Sequence, residues 1–218
     1  MKTGIIFDLD GVIVSTDENH YQAWKKMAHE EGIPFDRDVN EFLRGVSRME
    51  SLEIILKNAD KGFSPEQKNE MAERKNRYYR QSLMTITPGD ILPGVNEVLQ
   101  KLKARNIPIA IGSSSKNTPL ILERIGMANT FDAVADGNMI KNSKPDPEVF
   151  LLAAGLLNIP PESCIVIEDA VAGVEAALNA GMKVVAVGSA IEDERANYRI
   201  VDLAHADADE IINLRHCE

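Results

Sequence analysis

Cysteine is scarce in this chain of 218 residues, which holds only Cys164 and Cys217. One thiol opens an apolar segment and the other is next to last, an arrangement that argues against a disulfide framework and offers no zinc-ligand spacing. A reducing compartment, the cytoplasm, is therefore expected. Basic excess is missing too: 24 Lys and Arg stand against 34 Asp and Glu, a net charge of −10, which argues against nucleic acid or an anionic membrane as partner. The basic-aromatic stretch KNRYYR (75–80) accordingly reads as a solvated helix face. Long apolar runs are lacking as well. The longest, VFLLAAGLL at 149–157, falls far short of the ~20 residues that span a bilayer. Asp8 and Asp10 interrupt the only early apolar stretch, so no signal peptide is expected. Internal repeats and low-complexity linkers are absent.

What is present is ordinary for a globular protein, with 44% hydrophobic and 27% charged residues and length for one large or two modest domains. The chain has two textures. Residues 15–87 read as helices: YQAWKKMAHEEG closes on Gly32, Ser47 and Glu50 form a capping box, and Ser64-Pro65 is a strong helix start. From residue 88 helices alternate with apolar strands at 107–115, 131–136, 164–169 and 183–188. Such alternation predicts a Rossmann-like, doubly wound parallel sheet. The early strand GIIF belongs to that sheet. The expected organisation is thus an α/β core of residues 1–14 and 88–218, with an all-α cap of residues 15–87 inserted after the first strand. The tail beyond Gly188 is poorly patterned and suggests no function.

In such a sheet, ligands bind beyond the carboxyl ends of the strands. Those ends carry Asp8 and Asp10 after GIIF, then Ser113, Ser114, Ser115, Lys116 and Asn117 after IAIG, and Glu168 and Asp169 after CIVI. Lys144 stands in the loop NSKPDPEVF between the strands at 131–136 and 164–169. Each has a plainer reading as a helix cap or a solvated side chain, and Asp146 before Pro147 is a good cap in its own right. Their recurrence at successive strand ends favours one shared crevice. Four carboxylates at one point repel unless a cation binds, and Mg2+ prefers carboxylate oxygens together with waters and a substrate phosphate. Asp8 and Asp169 can supply the carboxylates and the Asp10 carbonyl a third ligand. Ser113 and Lys144 can bond phosphoryl oxygens. Asp8 is then placed to attack phosphorus, and Asp10 to give or take the proton. Gly11, just after them, lets the chain turn sharply so that both side chains serve one site.

FDLDGV, IGSSSKN, KPDP and IEDA together resemble the four motifs of the haloacid dehalogenase (HAD) superfamily of phosphotransferases, and the helical insertion resembles the cap of its first subclass. Over almost its whole length the chain is similar to β-phosphoglucomutases, on NHYQAW (19–24), RGVSRMESL (44–52) and ERKNRYY (73–79). The resemblance implies reversible conversion of β-D-glucose 1-phosphate to D-glucose 6-phosphate, with β-D-glucose 1,6-bisphosphate as intermediate and primer. It implies Asp8 as the phosphorylated nucleophile and Asp10 as general acid/base. One Mg2+ would sit on Asp8, the Asp10 carbonyl and Asp169, with Glu168 in or beside its shell. Ser113 and Lys144 would bind the transferring phosphoryl, with Ser114, Ser115, Lys116 and Asn117 in the same loop. In the cap, Arg48 suits a second phosphate, flanked by the backbone of Gly45, Val46 and Ser47 and by Ser51. Lys75 would contact the sugar or that phosphate. Thr16, His20 and Trp24 recur at four-residue spacing on one helix face, and His20 resembles the residue that links cap closure to Asp10. Trp24 could equally be cap core.

One departure is the pair Ser15-Thr16 where the family usually has Asp-Thr, which removes an acid at the hinge. A hydrolase acting on sugar phosphates is the nearest rival, because the core motifs serve water as readily as a sugar hydroxyl. A non-catalytic phosphosugar-binding protein would not need the second acid, Asp10. The expected partner is a small sugar phosphate, and the expected state a monomer.

Overall fold

The computed structural model describes residues 2–43 and 46–214. Gly45 and Cys217 lie outside the described residues. Strand β1 (Gly4–Phe7) leads to helices α1 (Asp17–Glu31), α2 (Arg37–Glu41), α3 (Arg48–Leu56) and α4 (Pro65–Leu83). The alternating part follows as α5 (Val95–Ala104), β2 (Ile109–Gly112), α6 (Thr118–Arg124), β3 (Ala133–Ala135), α7 (Glu148–Leu157), β4 (Cys164–Glu168), α8 (Val171–Asn179), β5 (Lys183–Ala186), β6 (Tyr198–Arg199) and α9 (Ala208–Asn213). The strands form one sheet in the order β3-β2-β1-β4-β5-β6, every pair parallel. The chain therefore winds outward in one direction from β1 to β3 and in the other from β4 to β6. The crossover lies between β1 and β4, where Phe7 pairs with Ile167.

Alternation along the strands sorts the core into two layers. Ile5, Phe7, Ile109, Ile111, Ile165 and Ile167 face one side, against Val98 and Leu102 of α5 and Ile121 of α6. Ile6, Ala110, Val166 and Val184 face the other, against Phe150 and Ala153 of α7 and Val174 and Ala177 of α8. Helices on both faces explain why these strands read as unbroken apolar runs. Cys164, the free thiol of this core, is buried, and burial pushes it up to about 11.

Helices α1, α3 and α4 close on a core of their own, built from Trp24, Met27, Leu52, Ile55 and Met71. The predicted capping box forms at Ser47 with Glu50, the helix start expected at Ser64-Pro65 adds a box of its own with Gln67, and Gly32 ends α1 in the left-handed conformation at φ 70°. Two chain segments connect this block to the sheet, and they run side by side: Val14 and Ile91 form an antiparallel bridge, and Leu92 N–H donates to the Ile13 carbonyl at 2.9 Å.

Several boundaries differ from expectation. Helix α1 starts at Asp17, before the anticipated Tyr21, because Asp17 and Glu18 complement the positive end of the helix. Strand β2 stops at Gly112, so Ser113 to Ser115 leave the sheet as a loop. The short elements α2, β6 and α9 carry too few residues to show a period. Among the described residues no helix is long and apolar enough to cross a membrane.

Candidate active site

The Asp8 N–H donates to the Ile167 carbonyl at 2.9 Å, continuing the β1–β4 ladder and bringing the Asp8 side chain beside the end of β4. There Asp8, Glu168 and Asp169 each offer a carboxylate oxygen within 4.8 Å of the others, all three at most 9% exposed. Lys144 reaches the same point from the loop before α7. Its ammonium donates to Asp8 Oδ1 at 2.6 Å and to Glu168 Oε1 at 3.1 Å, and it lies 4.6 Å from the Phe150 ring centre. One buried ammonium does not balance three buried carboxylates. Burial, and then the charge of Asp8, pushes Glu168 up to about 7. Burial, then Glu168 and Asp8, pushes Asp169 up to about 9. Carboxyls that resist ionisation this strongly, and that present only hard oxygen donors, suit a divalent metal ion.

Two glycines make this arrangement possible. Gly11 has φ +85°, and a Cβ there would fall 2.1 Å from Asp169 Oδ2. A Cβ on Gly173, in the first turn of α8, would fall 1.4 Å from Glu168 Oε1. Gly173→Ala is therefore expected to displace Glu168 and to weaken activation by divalent metal about 10- to 100-fold. Titrating activity with Mg2+ tests this, and an unchanged half-saturation point would contradict it. The segment after β5, to which the sequence assigned no function, supports the same corner. Val187 N–H donates to the Glu168 carbonyl at 2.8 Å and Ser189 Oγ to the Asp169 carbonyl at 2.5 Å.

Asp10 faces the helical block instead. Its carboxylate accepts from the Thr16 N–H at 2.6 Å and from the Thr16 hydroxyl, which also pairs with Tyr79 OH at 2.8 Å. Burial, followed by the charge of Asp17, pushes Asp10 up to about 7, against the lowering effect of Thr16. Asp17 lines the same cavity and raises Asp169 as well, so the charge missing at Ser15 returns two residues later.

Opposite the acids stands a basic wall. Lys75 is 2% exposed, and its Nζ lies 2.8 Å from His20 Nδ1 and 4.7 Å from the ring centres of both Trp24 and Tyr79. With Nδ1 accepting from the amine, the ring proton sits on Nε2, which is 3.7 Å from Asp10 Oδ2. Arg48 Nη1 is held at 2.8 Å by Glu73 Oε1. Burial, then Arg48, drives Lys75 well below the usual lysine range, and burial, then Lys75, drives His20 well below the histidine range. Basic groups held toward their uncharged forms in this way gain protons readily once an anion enters.

The two walls enclose a cavity of ≈ 690 Å³, room for a sugar with two phosphates. Its lining includes all the predicted site residues within the described chain: Asp8, Asp10, His20, Trp24, Val46, Ser47, Arg48, Ser51, Lys75, Ser113, Ser114, Ser115, Lys116, Asn117, Lys144, Glu168 and Asp169. Ser113 Oγ accepts from Ser115 N–H at 3.2 Å, whereas Ser114 Oγ is buried with no partner among the described residues. Trp24, only 2% exposed, belongs chiefly to the core of the helical block. Thr16 is fully buried and acts through Asp10 rather than lining the cavity. Sequence reasoning missed Tyr79, although it follows Lys75 by four residues on the same face of α4. It also missed Asp17, at the start of α1, Lys141, in the loop before α7, and Asn76, within α4 beside Lys75, all of which line the cavity.

Comparison with known proteins agrees with this geometry. The profile of haloacid dehalogenase-like hydrolases matches residues 2–181. A β-phosphoglucomutase of Bacillus subtilis is 47% identical over 186 residues, covering 84% of this chain and 82% of that protein. The crystal structure of a β-phosphoglucomutase from Clostridium difficile superposes with a TM-score of 0.93 at 44% identity, covering 99% of this chain and 98% of its own. A phosphorylated carbohydrates phosphatase of Thermotoga maritima is 32% identical over 214 residues, 96% of each chain.

Proposed function

The chain belongs to the haloacid dehalogenase-like hydrolase family, and from that membership we propose that it is a β-phosphoglucomutase. It interconverts β-D-glucose 1-phosphate and D-glucose 6-phosphate through β-D-glucose 1,6-bisphosphate. The observation that carries this reading is the basic wall of Arg48, Lys75 and His20 facing the acids across one cavity. A phosphatase needs one phosphate site, whereas a mutase needs a second for the phosphate that is not being transferred. The 47% identity to the Bacillus subtilis enzyme supports the same choice.

In this reading residues 1–14 and 88–218 form the catalytic core and residues 15–87 the cap. Asp8, Asp169 and the Asp10 carbonyl hold Mg2+, with Glu168 beside them. When bound, the ion neutralises the carboxylates and the phosphoryl oxygens so that an anion can approach. Asp8 attacks phosphorus, the bond from phosphorus to the sugar oxygen breaks, and Asp10 gives its proton to the departing oxygen. Lys144 and Ser113 hold the phosphoryl oxygens while Ser114, Ser115, Lys116 and Asn117 shape the loop. In the return step Asp10 takes the proton of the other sugar hydroxyl, which attacks the aspartyl-phosphate. An acid near pH 7 serves both directions. Arg48, Ser47, Ser51 and the backbone of Gly45 and Val46 hold the second phosphate, with Lys75, His20 and Trp24 toward the sugar. The enzyme works as a cytoplasmic monomer on a small anion.

Phosphorus NMR of β-D-glucose 1-phosphate with enzyme, Mg2+ and a trace of the bisphosphate tests the proposal. Growth of glucose 6-phosphate is the expected result. Inorganic phosphate as the main product would make the protein a hydrolase, and an unchanged spectrum would make it a binding protein.

A further inference from the structure

Asn117 occupies the N-cap position of α6, where an Asn ordinarily turns its side-chain oxygen back onto its own helix. It makes no such bond. Its amide, in a residue only 5% exposed, is engaged across the crevice by α4 at both ends. Arg80 Nη1 donates to Asn117 Oδ1 at 3.1 Å, and Asn117 Nδ2 donates to Asn76 Oδ1 at 3.0 Å. Further along the same two helices, Arg124 Nη2 donates to the Met84 carbonyl at 2.7 Å.

The register of α4 gives this contact its meaning. Lys75 and Tyr79 are four residues apart and face the cavity. Asn76 and Arg80 are the next pair, also four apart, and face α6. From Asn117 the connection runs back into the serine loop, because the Asn117 N–H donates to Ser115 Oγ and the Ser115 N–H to Ser113 Oγ, each at 3.2 Å. One chain of hydrogen bonds therefore joins the loop that holds a phosphoryl group to the helix that carries the basic wall. We infer that Asn76 and Arg80 are positioning residues that fix the spacing between the two phosphate-binding walls, and so direct the aspartyl-phosphate to a sugar hydroxyl rather than to water. The inference rests on the mutase reading above. Neither residue touches the reacting atoms, and both act through Asn117.

The test is a partition measured in one vessel. Enzyme turning over acetyl phosphate with Mg2+ is offered β-D-glucose 1-phosphate, and the bisphosphate and inorganic phosphate formed are both counted. Arg80→Ala is expected to shift the partition toward water about tenfold, the scale of one lost charge-assisted hydrogen bond, and Asn76→Leu about fivefold, the scale of a neutral one. Hydrolysis of acetyl phosphate alone should change little in either variant, and Arg80→Lys should recover much of the sugar transfer. A purely structural role would lower both products together, so a proportionate fall, or no change, overturns the inference and leaves the mutase reading intact. Wild-type enzyme that transfers nothing to the sugar would overturn both.

Discussion

Asp8→Asn is expected to abolish phosphorylation of the protein by acetyl phosphate and to lower mutase turnover by at least about 10³-fold, with the fold intact. An amide oxygen accepts the Lys144 hydrogen bond nearly as a carboxylate does, but it is not a nucleophile toward phosphorus. Stability should not fall with activity. Lys144 keeps Glu168 at 3.1 Å as its ion-pair partner. The Asp8 charge is among the causes that raise Asp10, Glu168 and Asp169, so its removal relieves repulsion in the metal-free protein. Intact-mass spectrometry after incubation with acetyl phosphate, alongside a thermal melt, decides the matter. A phosphorylated Asp8→Asn protein would remove this residue from the nucleophile's role.

Lys144→Met carries the largest expected effect on stability. The ammonium is 2% exposed and is the cation seen against Asp8 and Glu168, so Met leaves three carboxylates packed together without it. Breaking a buried pair from one side costs about 3–5 kcal/mol, here about 10 °C in melting temperature. The sign with pH is definite. Its acid partners outweigh burial and raise the folded-state pKa of Lys144 above the ordinary lysine value of 10.5. Its contribution is thus fully present at neutral pH and is lost only above that value. Metal-free melts at pH 7 test the expectation, and Mg2+ should return part of the loss by neutralising the same acids. A variant melting within about 2 °C of wild type would mean that the acids discharge by protonation at little cost.

The sheet and its acids were legible in the sequence because both obey local rules. Strands buried on two faces must be apolar throughout, so Asp8, Glu168 and Asp169 stand out at their ends, and the parallel winding brings those ends together. Ser47 and Ser64 marked helix starts through capping chemistry confined to four residues. The contribution of the helical block was harder to read. Lys75 beside His20, Arg48 beside Glu73 and Thr16 between Asp10 and Tyr79 are meetings of separate elements, and periodicity within one helix does not predict them. The tail after Gly188 looked featureless because its work is done by backbone groups and one short hydroxyl, Ser189. The missing acid at Ser15 gave no sign that Asp17, two residues on, would supply the charge.

The paired crossing at Val14 and Ile91 bears on speed rather than chemistry. On the mutase reading, a bisphosphate freed from Asp8 by one end would have to come back by the other, and the charged walls around the ≈ 690 Å³ cavity would hinder that turn while they are shut. The walls would then have to part once in each cycle, and the two connecting segments, paired at Val14 and Ile91, would serve as the pins of a door. Throughput is then set by how often that door swings, and a stiffer crossing would slow the enzyme while every side chain around Asp8 remained correct.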